Sequence, residues 1–272
     1  MSFKVIELEF WQKSFVSFNR RIFGRLYTVR ISDQLSYRGS WRKGLFHGYG
    51  ILAYKKGGVY TGDFRFGIKH GRGLLNSSTG FRYDGEWANG EPTGSAKICY
   101  KNGDWYDGEV KNGVRHGWGE LSELSSQRVF EGLWENGSLV GKVTITSEDW
   151  TYSGTIPNEI GQANGCLKYS NGSIYVGSTT NFNRHGVGKL TSPSGNQIAG
   201  FWLDDINVNY AISTDSEGIQ WYGTLKDLKP DGFMKVRLPN GEKYDGMWKN
   251  GQMQRVLSIK NKHNAPTTYH FY

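Results

Sequence analysis

A large residue opens the same phrase again and again along this chain. Tyr37, Tyr60, Tyr83, Tyr106, Phe130, Tyr152, Tyr175, Ile198, Trp221 and Tyr244 follow one another at steps of 22 to 24 residues, and a glycine stands two places after each, from Gly39 to Gly246. A fixed period in the 20–50 residue range is the mark of a solenoid, in which one small supersecondary unit is stacked and each copy touches only its neighbours. Such a chain presents long regular surfaces and seldom builds an enclosed catalytic pocket.

Within each copy the opener, the glycine and the next large residue (Tyr37, Gly39, Trp41) are spaced by two, so they share one side of a strand. Trp87, Trp134, Trp202 and Trp248 continue that row. Lys43-Gly44, Asn89-Gly90, Asn112-Gly113, Asn136-Gly137 and Asn250-Gly251 then read as two-residue hairpin turns. Gly57-Gly58, Asn102-Gly103, Asn171-Gly172 and Asn240-Gly241 lead from one copy into the next. Each repeat is therefore one β-hairpin, and the glycine after the opener leaves room for an aromatic ring to lie on the backbone. The expected fold is all-β: an elongated, twisted, single-layer antiparallel solenoid of about ten 23-residue hairpins.

The phrase Tyr-x-Gly-x-Trp-x-x-Gly-x-x-His-Gly-x-Gly resembles the MORN repeat (membrane occupation and recognition nexus). Copies one, two and four end on His47-Gly48-Tyr49-Gly50, His70-Gly71-Arg72-Gly73 and His116-Gly117-Trp118-Gly119, and copy seven keeps His185-Gly186-Val187-Gly188. Copy three has Thr93 in the histidine slot. Copies five, six, eight and nine are eroded, with Val140, Glu159-Ile160 and Asp204-Asp205-Ile206 interrupting the phrase. The resemblance covers residues 37–260 and implies a repeat scaffold that captures partners along its groove. It does not imply any one activity.

Residues 1–36 read as an N-terminal cap: Gly24–Ile31 suits the second strand of a broken repeat, and Ile6, Leu8 and Phe10 alternate with Glu7 and Glu9 as in a capping strand. Alternatively Phe3, Trp11, Phe15 and Phe18 would dip into lipid from an interfacial helix. Residues 261–272 form a tail without repeat character. The N-terminus lacks a signal-peptide core and no apolar run reaches the length of a membrane span, so the expected place of work is the cytoplasm, at a membrane or the cytoskeleton. The two cysteines, Cys99 and Cys166, fall three copies apart, about 28 Å by strand spacing, too far to bridge.

The net charge of +8 is unevenly laid out. Residues 1–82 hold 15 Lys/Arg against 4 Asp/Glu, residues 83–220 hold 9 against 17, and residues 221–272 hold 9 against 4. Copies one and two carry the strongest block: Arg38, Arg42, Lys43, Lys55, Lys56, Arg65, Lys69, Arg72 and Arg82, opposed only by Asp63. This block is the candidate site for an anion, foremost an acidic phospholipid headgroup or an acidic protein segment. Nucleic acid ranks last, because no recognition motif accompanies the charge. The acidic middle also allows the basic end of one molecule to dock on another.

Nothing in the pattern supports an enzyme, a cofactor or a metal. Histidines in adjacent copies would stand 9–10 Å apart, beyond a shared zinc site. The pairs Asp84/Glu86 and Asp107/Glu109 fall on the face opposite the aromatic row and read as a solvated surface. The aromatic ladder itself, Tyr37, Trp41, Tyr60, Phe64, Tyr83, Trp87 and Tyr106, is the candidate protein-binding groove, for an extended peptide or an amphipathic helix. The expected function is a non-enzymatic scaffold, with a peripheral phospholipid-binding module as the alternative.

Overall fold

A computed structural model describes residues 28–156 and 162–260. They form 21 strands and no helix: β1 (Val29–Ser32), β2 (Leu35–Arg42), β3 (Leu45–Tyr54), β4 (Gly58–Arg65), β5 (Ile68–Ser77), β6 (Arg82–Ala88), β7 (Glu91–Cys99), β8 (Trp105–Lys111), β9 (Val114–Glu123), β10 (Arg128–Glu135), β11 (Ser138–Thr146), β12 (Trp150–Thr155), β13 (Gln162–Tyr169), β14 (Ile174–Thr180), β15 (Asn183–Thr191), β16 (Gln197–Leu203), β17 (Ile206–Thr214), β18 (Gln220–Lys226), β19 (Lys229–Arg237), β20 (Lys243–Lys249) and β21 (Gln252–Lys260). The chain divides into two compact units, Met1–Gly103 with Glu109–Gly113 and Asp104–Gly108 with Val114–Tyr272. In the first unit β1 to β7 pair antiparallel in chain order. In the second, β9 to β21 do the same. The chain is thus an all-β antiparallel repeat solenoid with one hairpin per copy, and copies five, six, eight and nine keep the hairpin although their phrase is eroded. Only the end of the segment expected to be a strand at Gly24–Ile31 is described: there β1 bonds to β2. The rest of the proposed cap in residues 1–27, the tail 261–272 and Glu159-Ile160 lie outside the described residues.

The unit of construction is a tyrosine lying on two glycines. Gly39 pairs with Gly50 across the first hairpin, and the Tyr37 ring covers both: a methyl on either glycine would overlap the phenol. The same arrangement recurs with Tyr60 over Gly62 and Gly73, Tyr106 over Gly108 and Gly119, Tyr152 over Gly154 and Gly165, and Tyr175 over Gly177 and Gly188. The glycine therefore makes room for its own repeat's ring. The hydroxyl then donates to the carbonyl one residue beyond the first glycine, Tyr37 to Ser40 at 2.9 Å, Tyr60 to Asp63 at 3.0 Å, Tyr83 to Glu86 at 2.7 Å and Tyr175 to Ser178 at 2.8 Å.

The His-Gly half of the phrase supplies the matching distortion. Between Gly39↔Gly50 and Trp41↔Phe46 the first strand uses two residues where the second uses four, and Gly48 absorbs the excess at φ 66°. Copies two and seven repeat this around Gly71 and Gly186. A bulge with a left-handed residue is a place for glycine. The expected turns are also present, with Lys43-Gly44, Asn89-Gly90 and Asn250-Gly251 left-handed at both positions, as a type I′ turn requires.

Erosion of the phrase follows a volume rule. Where the opener is not tyrosine, the second glycine is replaced by a side chain: Phe130 with Val143, Ile198 with Ala211, Trp221 with Met234. These replacements are buried and fill the space the phenol leaves. Two tyrosine copies also depart from the phrase: copy three sets Ala96 opposite Gly85, and copy ten sets Val256 opposite Gly246, where the Arg255 backbone and the Trp248 indole, not the Tyr244 ring, lie nearest.

Gly73→Ala should therefore lower the stability of the chain by about 3 kcal/mol, since neither the backbone nor Tyr60 can retreat, and Tyr60→Phe by about 1 kcal/mol for the lost hydrogen bond; urea melts of both variants measure this. Burial pushes the Tyr37 and Tyr175 phenols up to about 12 and raises Tyr60, Tyr83 and Tyr152 as well. A phenol that ionises at about 10 in the unfolded chain stabilises the fold fully below that pH and loses its contribution as pH rises through the folded value. Far-ultraviolet circular dichroism and phenolate absorbance should change together above about pH 10.

Candidate functional site

Of the seven ladder residues, Tyr37, Tyr60, Phe64, Tyr83, Trp87 and Tyr106 are buried, and only Trp41 is open, at 42% exposure. The rings close on one another: Tyr37 stacks on Phe46 at 4.0 Å and meets Phe64 edge-on at 5.3 Å, while Trp87 stands edge-on to both Tyr60 (5.2 Å) and Tyr83 (5.1 Å). The expected open groove over copies one to four is filled. Three tryptophans of the row join repeats: Trp87 donates its indole N–H to the Gly73 carbonyl of the preceding copy at 3.1 Å, Trp134 to Gly119 at 3.0 Å and Trp202 to Gly188 at 3.1 Å.

Each of these tryptophans is capped by a cation nine residues after the previous opener. Lys69 Nζ lies 4.5 Å from the centre of Trp87, and the Arg115 and Arg184 guanidinium carbons lie 4.5 Å from Trp134 and Trp202. Lys69 also sits 5.1 Å over Tyr60, and burial lowers its pKa against the opposing pull of Glu91. Arg184 is further held by Asp205 at 2.9 Å. In copy one the same place holds Phe46, which faces Phe64 instead of a tryptophan. This pairing was open to sequence reading through the 23-residue register, but the charge block of copies one and two placed Lys69 in the anion site.

The nine cations of copies one and two are not gathered in one patch. Arg42, Lys43 and Arg65 stand exposed at the hairpin-turn edge. Lys55 and Lys56 form the turn at the other end of β3, about 30 Å away. Arg38, Arg72 and Arg82 belong to the outer face, where Arg72 is paired with Glu86 in register, and Lys69 is committed to the rings. The turn edge also carries Trp41, Leu45, Phe66 and Ile68, all exposed, with Phe66 at 53%. The Arg65 guanidinium lies 5.8 Å and the His47 ring 5.4 Å from the Phe66 ring.

The second unit does contain an aromatic groove, on the inner face of copies eight to ten. It has a volume of about 570 Å3 and is lined by Ile198, Trp221, Leu228, Pro230 and Trp248 with a polar rim that includes Asn196 and Asp215. The two indoles meet edge-on at 6.5 Å, and their N–H groups have no acceptor in the structure. Here the opening residues are Ile198 and Trp221, so no phenol lies over the strand pair, and Pro230 stands where a capping cation would. The groove opens where the phrase is eroded, because a complete phrase fills its own inner face.

Among the described residues no three His, Cys, Asp or Glu gather as a metal site requires, and no helix is long and apolar enough to cross a membrane. His185 Nδ1 stands 3.3 Å from the carboxylate of the turn residue Asp204, which accepts its N–H. Cys99 and Cys166 both remain thiols. If Lys69 is an inter-repeat cap, a double-mutant cycle of Lys69→Met and Trp87→Leu should give a coupling of about 1 kcal/mol in urea melts, and Lys69→Met alone should leave the affinity for anionic vesicles unchanged.

The family model for the MORN repeat matches residues 37–59, 60–82, 83–105, 106–121, 183–197 and 244–255. No curated protein matches the chain. Among solved structures it is similar to the G-box domain of the microcephaly protein CPAP, 12% identical over 68% of this chain and 97% of that one, with a TM-score of 0.43. The TCP domain of SAS-4 (dCPAP) of Drosophila melanogaster, solved with a proline-rich motif of Ana2 (dSTIL), is 11% identical over 75% of this chain and 95% of that one, with a TM-score of 0.34. BamB from Moraxella catarrhalis is 9% identical over 89% and 98%, with a TM-score of 0.17. These are distant likenesses. The family matches fall in copies one to four, seven and ten, each of which opens on a tyrosine, and on these matches the chain carries MORN repeats.

Proposed function

We propose that the chain is a non-enzymatic scaffold that holds a segment of a partner protein in the groove of copies eight to ten. The observation that carries this reading is the groove itself: an apolar trough of about 570 Å3, walled by Trp221 and Trp248 and rimmed with polar groups, is within the size range of sites that hold ligands. Its walls suit two or three large apolar side chains, presented by an extended peptide or by one face of an amphipathic helix. The scaffold would serve a cytoplasmic partner, cytoskeletal or membrane-bound.

A second reading rests on the turn edge of copies one and two. Trp41, Leu45, Phe66 and Ile68 beside Arg42, Lys43 and Arg65 combine apolar side chains with positive charge, as proteins that rest on anionic lipid do.

Display of random peptides on the full chain tests the first reading. Peptides rich in Leu, Phe or Trp should be retained, and Leu228→Glu, an exposed turn substitution at the groove, should weaken them at least tenfold. Equal binding to the variant, or no enriched peptide, would refute the groove. Flotation with anionic vesicles, lost in the triple variant Arg42→Glu, Lys43→Glu, Arg65→Glu, would instead support the lipid reading; no flotation of the parent chain would dismiss it.

A further inference from the structure

The outer face of β15 to β20, behind the groove, is unlike the outer face of the first unit. In the first unit, cross-strand neighbours there are polar: Tyr49 faces Asp63 and Arg72 faces Glu86. At the matching positions of the second unit Val187 faces Phe201 and Phe233 faces Met247, with Tyr210 on β17 between the two pairs. All five are exposed, Val187 at 72%. A second row runs beside the first through Lys189↔Ala199↔Ile212↔Tyr222↔Lys235↔Asp245. The inward neighbours Gly188, Trp202, Ala211 and Met234 are buried, so these two rows point away from the core.

We infer that this face is an isologous interface that takes a second copy of the same chain, sheet against sheet. The argument is the symmetry of the rows. A two-fold axis lying along the strands between β17 and β18 sets β15 against β20, β16 against β19 and β17 against β18, and keeps each row opposite itself. Val187 then meets Met247, Phe201 meets Phe233, Ile212 meets Tyr222, and Lys189 meets Asp245. Tyr210 meets Thr224, and Ala199 meets the aliphatic stem of Lys235; the other apolar groups fall on apolar groups, and the charges at the two ends of the second row fall on opposite charges. Asp245 already accepts from Ser258 at 3.1 Å, which holds its carboxylate on this face. Six strands about 4.8 Å apart, read over about seven residues, give a face of about 29 Å by about 23 Å, on the order of 650 Å2. A standard stable interface buries roughly 800 Å2 per partner, so the face is of the right order for a dimer in the micromolar range.

Sedimentation equilibrium of the full chain tests this. The parent chain should dimerise, and Val187→Asp, at the most exposed position and so the least disturbing to the fold, should raise the dissociation constant at least tenfold with an unchanged circular dichroism spectrum. Lys189→Glu should raise it about fivefold for each of the two symmetry-related pairs, and adding Asp245→Lys should restore it. A parent chain that stays monomeric through the micromolar range would overturn the inference, as would a dimer indifferent to Val187→Asp or a double swap that fails to restore. A monomer that floats with neutral vesicles and loses this with Val187→Asp would overturn it in favour of a lipid surface.

Discussion

The structure depends on a phenol lying flat on a pair of glycines. Without side chains at Gly39 and Gly50 the Tyr37 ring reaches the backbone of both strands, and its hydroxyl finds a carbonyl that the bulge has released from the ladder. A hairpin alone is marginal in water, and a single sheet has no second layer to bury its apolar face against. Folding each large ring down onto its own backbone solves this, because the core is made inside the repeat and not between two layers. The neighbouring copy then closes the edge with a tryptophan that donates to the second glycine's carbonyl, and a cation covers that tryptophan from above.

This construction explains why a well-kept repeat makes a poor pocket. Every element of the phrase is consumed by packing: the tyrosine by its glycines, the tryptophan by the previous copy, the lysine or arginine by the tryptophan. Surfaces able to bind are left where an element is missing or replaced. Ile198 and Trp221 as openers leave the inner face of copies eight to ten open, and the first copy leaves Trp41 exposed at the turn edge beside Phe66. On the outer face, which the phrase does not prescribe, the residues are free to differ, and they change from charged pairs around Arg72 and Glu86 to apolar pairs around Phe201 and Phe233.

The hairpins, their turns and the side of the strand on which each opener stands were legible from the sequence, since a period of two within strands and of 23 between them leaves few alternatives. Asn89-Gly90 and Asn250-Gly251 could be assigned a turn type from composition alone. The destination of the large side chains was not legible in the same way. Counting by twos placed Tyr60 and Trp87 in one row but said nothing of how far each ring folds over, and so a buried row was read as an open groove. Lys69 was counted with the other cations of its block for a similar reason: charge is visible in a sequence, but the ring beneath it lies 18 residues away, in the next copy.

The sequence by itself determined the repeat, the hairpin and the spacing of glycines that admits the tyrosines, because these rest on local sterics: backbone angles that favour glycine, and the absence of a Cβ where a ring must lie. Only the tertiary structure decided which faces are full and which are open. That depends on volumes summed over side chains from neighbouring copies, Tyr with Gly in one repeat, Trp with Met in another, and no single repeat contains that sum.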